Sequence, residues 1–345
     1  MGRRGALTAT MVAGGAAVAY AAVHFLAWQI RAEATRHAVE PQMLASTRQH
    51  TVRGPKDTLL AVWDTPAPRT DVPRIVFVHG WMGTHHVWDW VVGALDGTAH
   101  MVTFDLPFHG QSGAPQPEDI DLDFFGDALV SVIDEILPSG PVVLVGHSLG
   151  GMVILNALRR HKDTLGQRLA ASVLVSTAAT FEDTSSALVR AARPLFGTVT
   201  TSLSQTVSRQ FGEVVAHAVA GDADLVWLFA RKVQGRNANP EVTYGIVQAI
   251  RAAHTKALTT LAPSVLRLDE REGLAVAASR PLCVVAGTDD WLTPHAVTKA
   301  LAQTAEAEMV LCDAVGHVAP KEAAAQVASV IARYVGVRPN TTGTR

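Results

Sequence analysis

Residues 141–158 read PVVLVGHSLGGMVILNAL, and the fold turns on how they are read. Val142, Val143, Leu144 and Val145 form an apolar, mostly β-branched run with the length of a strand buried on both faces. From Leu149 to Arg159, Met152, Leu155 and Leu158 recur at helical spacing. Ser148 therefore falls on a strand-to-helix turn, between Gly146 and Gly150. A serine that only caps a helix has no need of a glycine two residues before it and two after. A serine raised on a strained turn does, because a side chain at either place would collide with the adjoining strand and helix. Gly146-His147-Ser148-Leu149-Gly150 thus fits G-x-S-x-G in the context that gives the pattern meaning, and Ser148 is the candidate nucleophile.

Outward from this turn, strands and helices alternate. Strands are expected at Ile75–Val78, Met101–Phe104, Pro141–Val145, Ala171–Val175, Leu282–Ala286 and Met309–Cys312. Helices are expected at Val87–Leu95, Phe124–Leu137, Leu149–Arg160, Pro294–Ala305 and Lys321–Tyr334. Upstream, Thr51–Val52 and Leu59–Trp63 flank the turn signal GPKD as an antiparallel hairpin. The alternation makes an α/β fold, a mostly parallel sheet with helices on both faces. Between Val175 and Leu282 the patterns are helical throughout, as in LVWLFARKV (225–233) and VQAIRAAHTKAL (247–258). A structureless loop of that length is foreign to a compact domain, so residues 176–269 read as a helical cap above the sheet.

Activating a serine needs a base, an acid to orient the base, and N–H donors for the developing oxyanion. In parallel sheets such groups gather at the carboxyl ends of strands. CVVAGTDDWLTP (283–294) is a strand, a glycine turn and two carboxylates; VLCDAVGHVAP (310–320) is a strand followed by Gly316-His317. Of the 14 histidines only His295 and His317 follow these carboxylates, and His317 alone comes directly after a strand. The expected base is His317 and the expected acid Asp290, four residues before the helix-starting Pro294. Asp289 is expected to solvate the turn, and Asp183 is a third, weaker candidate for the acid. For the oxyanion hole, one N–H comes from Leu149 and the other from the loop FVHGWMG (77–83), with Trp81 preferred over Met82. His79 reads as a core residue able to brace that loop, His147 as packing beneath the elbow, and DLPFHGQSG (105–113) as a structural loop.

With HGW at His79, DLPFHGQS at Asp105, GHSLGG at Gly146, GTDDWLTP at Gly287 and GH at Gly316, the chain resembles the α/β-hydrolase superfamily from about Arg74 to Val337. It is most similar to the bacterial serine esterase and lipase branch that carries a helical cap. The resemblance implies the α/β-hydrolase fold and ester hydrolysis through a Ser148-Asp290-His317 triad and an acyl-enzyme, with no metal or organic cofactor. The expected substrate is a small-molecule or lipid ester, and Trp227 and Phe229 either reach its acyl chain or pack the cap's own core. The same superfamily holds perhydrolases, C–C bond hydrolases and inactive members, so another reaction on the triad and a non-catalytic binding protein are the alternatives. Phe108 departs from the pattern, standing where relatives often carry glycine.

Bulk composition fits such an enzyme. The 345 residues are 48% hydrophobic and 17% charged, with a net charge of −2 that speaks against a nucleic-acid partner. Cys283 and Cys312 lie in apolar runs and read as buried thiols. At the N-terminus, nothing between Arg4 and Arg31 carries a formal charge, and Gly5–Ile30 is long enough as a helix to cross a bilayer. Residues 1–30 are therefore expected to be a single-pass anchor, with Arg3 and Arg4 holding the N-terminus in the cytoplasm and the hydrolase domain outside it; a cleaved export signal and a soluble helix are the alternatives. Residues 31–46 then form a connector and 47–340 the hydrolase domain.

Overall fold

The computed structural model describes residues 22–39, 44–68, 70–114, 120–180, 223–253, 261, 264–265 and 267–339. Eight strands form one sheet in the order β1-β2-β4-β3-β5-β6-β7-β8. They are β1 (Arg48–Arg53), β2 (Leu59–Thr65), β3 (Arg74–Val78), β4 (Met101–Phe104), β5 (Val142–His147), β6 (Leu169–Val175), β7 (Leu282–Gly287) and β8 (Glu308–Cys312). The hairpin strand β1 pairs antiparallel with β2, and β2 antiparallel with β4; every later pairing is parallel. At the centre, Val145 of β5 stands between Phe77 of β3 and Val173 of β6.

Each central strand is apolar on both faces because each face is covered. The helices are α1 (22–36), α2 (Asp89–Ala94), α3 (Leu122–Ile136), α4 (Leu149–Arg160), α5 (Leu165–Arg168), α6 (Ala223–Lys232), α7 (Pro240–Ala252), α8 (Arg271–Ala278), α9 (His295–Thr304), α10 (Ala319–Glu322) and α11 (Ala324–Val335). Val142 and Leu144 pack with residues of α3, α4, α8 and α9, while Val143 and Val145 pack with those of α2 and α11. The alternation follows from the two-residue period of a strand, which sends neighbours to opposite faces. Two caps set the helix ends: Asp121 accepts the Phe124 N–H at 2.9 Å to start α3, and Gly336 ends α11 in the left-handed conformation at φ 69°. The single helix expected over Lys321–Tyr334 is two, broken at Ala323, where φ −130° and ψ 35° leave the helical region.

The sequence region from Val175 to Leu282 contributes α6, α7 and α8 among the described residues. Its stem is tied by a bridge between Thr180 and Asp269, and the Glu270 N–H donates to Ala179 O at 2.8 Å. Residues 181–222, and with them Asp183, lie outside the described residues. Trp227 is 2% exposed and packs with Val226, Ala230, Val247 and Ile250 of the insertion in a cluster that Ala34 of α1 joins. Phe229, half-buried, lies between that cluster and a second one around Val233, Val242 and Val318.

The N-terminal expectation is corrected here. Among the described residues no helix is long and apolar enough to cross a membrane, so the single-pass anchor, the membrane as a partner and the placement of the domain outside the cytoplasm are all withdrawn. The described part of the apolar run begins at residue 22, within α1, which passes Ile30 unbroken and continues through Arg31, Glu33 and Arg36. Its Ala27 and Ala34 are buried, Ala34 against Val226, Trp227 and Ala230 of α6 and Val247 and Ile250 of α7. Ala34 thus brings α1 against α6 and α7. Residues 1–21 of the expected anchor lie outside the described residues.

Candidate active site

β5 ends and α4 begins at Ser148, which has φ 52° and ψ −119°, a left-handed backbone that a β-carbon resists. The flanking glycines make room for it. A β-carbon on Gly146 would lie 2.7 Å from the Gly150 carbonyl carbon, and one on Gly150 would lie 2.1 Å from the Val78 carbonyl oxygen. Three backbone contacts then hold the turn: the Ser148 N–H donates to Val175 O at 2.9 Å, while Ser148 O accepts from the Gly151 N–H at 2.9 Å and from Thr177 Oγ1 at 2.6 Å.

The structure brings the expected serine, histidine and acid together. His317 Nε2 lies 3.0 Å from Ser148 Oγ, and His317 Nδ1 lies 2.9 Å from Asp290 Oδ2. Asp290 is 3% exposed and His317 8%. Burial works against ionisation of Asp290, but the charge and hydrogen bond of His317 and the donors from Thr293 outweigh it and hold its carboxyl below the usual range. Its Oδ1 accepts the Leu292 and Thr293 N–H groups at 2.9 Å each, and its Oδ2 also accepts Thr293 Oγ1–H at 2.6 Å. An ionised carboxylate only accepts, so the His317 Nδ1–H donates to it and Nε2 is left free to take a proton from Ser148. His295 is exposed at the start of α9, away from this line.

Asp289 has another task than the one expected. It holds Arg236, from the turn after α6, through Nε at 2.9 Å and Nη2 at 2.7 Å, and also accepts the Arg236 N–H at 2.8 Å. The guanidinium keeps its carboxyl well below the usual range. Thus one of two adjacent aspartates faces the histidine and the other ties down the insertion.

The turn expected to supply the second oxyanion donor is built by histidines. Gly80 packs against the elbow so closely that a β-carbon there would lie 2.9 Å from His147 Nδ1 and 3.1 Å from Ser148 Cβ. His79 is fully buried, and burial lowers its pKa, so it is neutral. Its Nδ1–H donates to Gly80 O at 2.8 Å, and its Nε2 accepts the Leu106 N–H at 2.9 Å. His109 does the same one residue group further on: it donates from Nδ1 to Pro107 O at 2.8 Å and accepts the Met82 N–H at Nε2 at 3.2 Å. The Met82 N–H is therefore occupied, whereas neither the Trp81 nor the Leu149 N–H meets an acceptor among the described residues. The loop 105–113 supports this arrangement through Asp105, which accepts His85 N–H and Gln111 N–H at 2.8 Å each. Phe108 adopts φ 67° there and is fully buried, so the glycine-like conformation is kept and its strain is set against burial of a phenyl ring.

His317 sits in a loop whose backbone is bonded on every side. Its N–H donates to Val233 O at 2.7 Å, and its C=O accepts from His147 Nε2 at 2.8 Å. Burial, helped by the charge of His317, pushes the His147 imidazole down to about 3, so His147 is a neutral donor. Sequence reasoning missed Thr293, Thr177, His109 and the Val233 carbonyl. Only Thr293 had a legible signal, since a threonine three residues after an aspartate is placed to close an Asx-type turn.

A family model described as alpha/beta hydrolase fold matches residues 73–324. The pimeloyl-[acyl-carrier protein] methyl ester esterase of Neisseria meningitidis is 36% identical over 92 residues, 27% of this chain and 27% of that one. Matches to the first curated relatives span from 18% to 33% of their lengths. Among solved structures, a thermophilic esterase from Thermogutta terrifontis superposes with a TM-score of 0.67 at 21% identity, covering 84% of this chain and 98% of that one. An enol-lactonase from Burkholderia xenovorans gives a TM-score of 0.67 at 20% identity over 83% of this chain and all of the other (100%).

Proposed function

The chain belongs to the alpha/beta hydrolase fold family, and on that footing we propose that it is a serine hydrolase of carboxylic esters. The observation that carries the reading is the continuous line from Ser148 Oγ through His317 to Asp290, at 3.0 and 2.9 Å. The names of the esterase relatives support the choice of esters as substrate class.

In this reading Ser148 Oγ attacks the ester carbonyl while its proton passes to His317 Nε2. Asp290, buried and ionised, holds the ring and stabilises the imidazolium. The carbonyl oxygen gains a negative charge and takes the Leu149 and Trp81 N–H groups, two donors fixed by the elbow and by the His79–Gly80 turn. Collapse of the tetrahedral adduct breaks the bond to the alcohol, which leaves with the proton from His317. Water then gives a proton to His317 and attacks the acyl-Ser148 carbonyl, and release of the acid restores the hydroxyl. Every proton moves between these side chains, substrate and water.

The test pairs a fluorophosphonate probe with a short series of p-nitrophenyl esters. The protein should label once, at Ser148, and turn over at least the shorter esters. Ser148→Ala should remove labelling and lower turnover by several orders of magnitude with its unfolding curve intact. Labelling that survives in that variant would reject the assignment.

A further inference from the structure

We propose that Glu322 is a positioning residue for His317, and that it does this by clamping the histidine loop to the turn between α6 and α7. The proposal rests on the hydrolase reading of His317 given above. Glu322 lies at the end of α10, five residues past the histidine, and touches no reacting group. Its carboxylate collects backbone donors from two separate parts of the chain. Oε2 accepts the Gly235 N–H at 2.6 Å and the Gly316 N–H at 3.1 Å, and Oε1 accepts the Val318 N–H at 3.2 Å. Gly316 and Val318 flank His317 on either side, and Gly235 belongs to the insertion.

The rest of the joint is equally close. The His317 N–H donates to Val233 O, so donors and acceptors cross between the two loops in both directions. A β-carbon on Gly235 would lie 2.0 Å from Ala314 O, and one on Gly316 would lie 2.4 Å from the Gly235 nitrogen. Backbone meets backbone here, with no side chain able to yield between them. Arg236, the next residue, is held by Asp289, next to the acid. The insertion is therefore fastened beside both members of the Asp290–His317 pair.

Nothing about packing alone calls for a carboxylate at this place. No lysine or arginine pairs with Glu322 among the described residues, and it stands close enough to Asp290 to feel that charge. A half-buried acid without a cation, beside another acid, costs stability unless its donors are needed. What it supplies is an acceptor-only group that can gather three N–H donors around one histidine. A misplacement of about 1 Å at a reacting group costs up to about a hundredfold in rate, and this clamp limits movement of that kind.

Glu322→Gln tests the point, because the amide can satisfy one oxygen's donors but turns an NH2 toward the remaining N–H. Gly235→Ala attacks the same joint from the insertion side without touching Glu322. Both should lower kcat on a p-nitrophenyl ester by about tenfold to a hundredfold while KM stays within about twofold. The second readout does not depend on turnover: the low-field proton resonance of the His317 Nδ1–H facing Asp290 should move and exchange faster with water in both variants. A wild-type protein that hydrolyses no ester would refute the hydrolase reading, and the resonance would still decide the clamp. If either variant is too unstable to purify, the other gives the answer. Wild-type kcat together with an unmoved resonance in a folded variant would overturn the proposal.

Discussion

Asp290→Asn exchanges one oxygen for NH2 at nearly constant volume, and the surroundings dictate which oxygen. Oδ1 takes two backbone N–H groups at 2.9 Å, so the amide oxygen has to stay there. The NH2 is then turned to the position of Oδ2, 2.9 Å from His317 Nδ1. Two donors cannot face each other, so His317 gives up the proton on Nδ1 and carries it on Nε2. Nε2 is the atom 3.0 Å from Ser148 Oγ, and a protonated Nε2 on a neutral ring can no longer accept the serine's proton. The same tautomer switch in a serine protease costs about 10⁴ in kcat, or about 5.5 kcal/mol of transition-state stabilisation. A loss of that order is expected here, measured as kcat on a p-nitrophenyl ester at neutral pH, at a temperature where the variant is still folded. Asp289→Asn is the matched control. It breaks the ion pair with Arg236, which is exposed, and leaves the acid–histidine bond alone, so turnover should stay within about threefold of wild type. An Asp290→Asn protein with more than about a tenth of wild-type kcat, or an Asp289→Asn protein equally damaged, would refute the reasoning.

Two stability measurements follow from the same region. Gly150→Ala would drive a β-carbon to 2.1 Å from Val78 O and 2.7 Å from His79 O, both backbone atoms where β3 ends and its loop begins; a loss of about 3 kcal/mol is expected in urea unfolding, and an unshifted midpoint would show the elbow to be looser than drawn. His147 accepts a proton near 6.5 when unfolded, but only near about 3 in the native protein. Because the unfolded chain binds the extra proton, this contribution to stability is complete above the unfolded value and drains away as pH falls toward the native one. Between pH 7 and pH 5 the loss is about 2 kcal/mol. His147→Phe should lose correspondingly less over that interval, and equal losses in the two proteins would contradict the burial of a neutral ring.

The parts of the molecule that could be read in advance are those written in side-chain pattern. The glycines at 146 and 150 gave away the elbow because two β-carbons have nowhere to go. The strands of the sheet showed as apolar runs, and the acid and the histidine could be sought where parallel strands end. What escaped reading is carried by backbone atoms. Val233 O and the Gly235 N–H mark no residue type, so no pattern announces that the insertion reaches the histidine loop. The two aspartates at 289 and 290 could be ranked, yet Arg236 lies 53 positions away in sequence, one arginine among many. The N-terminal run misled for a physical reason. Hydropathy and length speak for a span up to Ile30, whereas the helix that holds the end of the run goes on through Arg31, Glu33 and Arg36. Phe108 stands out in the sequence as a departure; only the backbone angle reveals that the chain keeps the left-handed turn without the glycine.

The bonds from Val233, Gly235 and Arg236 bear on how a chain of this kind changes its substrates. Exchange of the segment above the sheet is an obvious evolutionary route, since its two ends meet at the Thr180–Asp269 bridge and form a natural cut point. In this protein such an exchange would carry off an acceptor for the His317 N–H and a ligand of Glu322 and Asp289. In the proposed reading, a change in the segment above the sheet is thus also a change in what holds His317. Gradual drift of α6 and α7 around a retained 233–236 turn leaves the chemistry in place, whereas wholesale replacement has to reinvent that turn at the first attempt. Laboratory shuffling faces the same constraint, and a graft that keeps these four residues as part of the recipient is the one that preserves the support beneath the base.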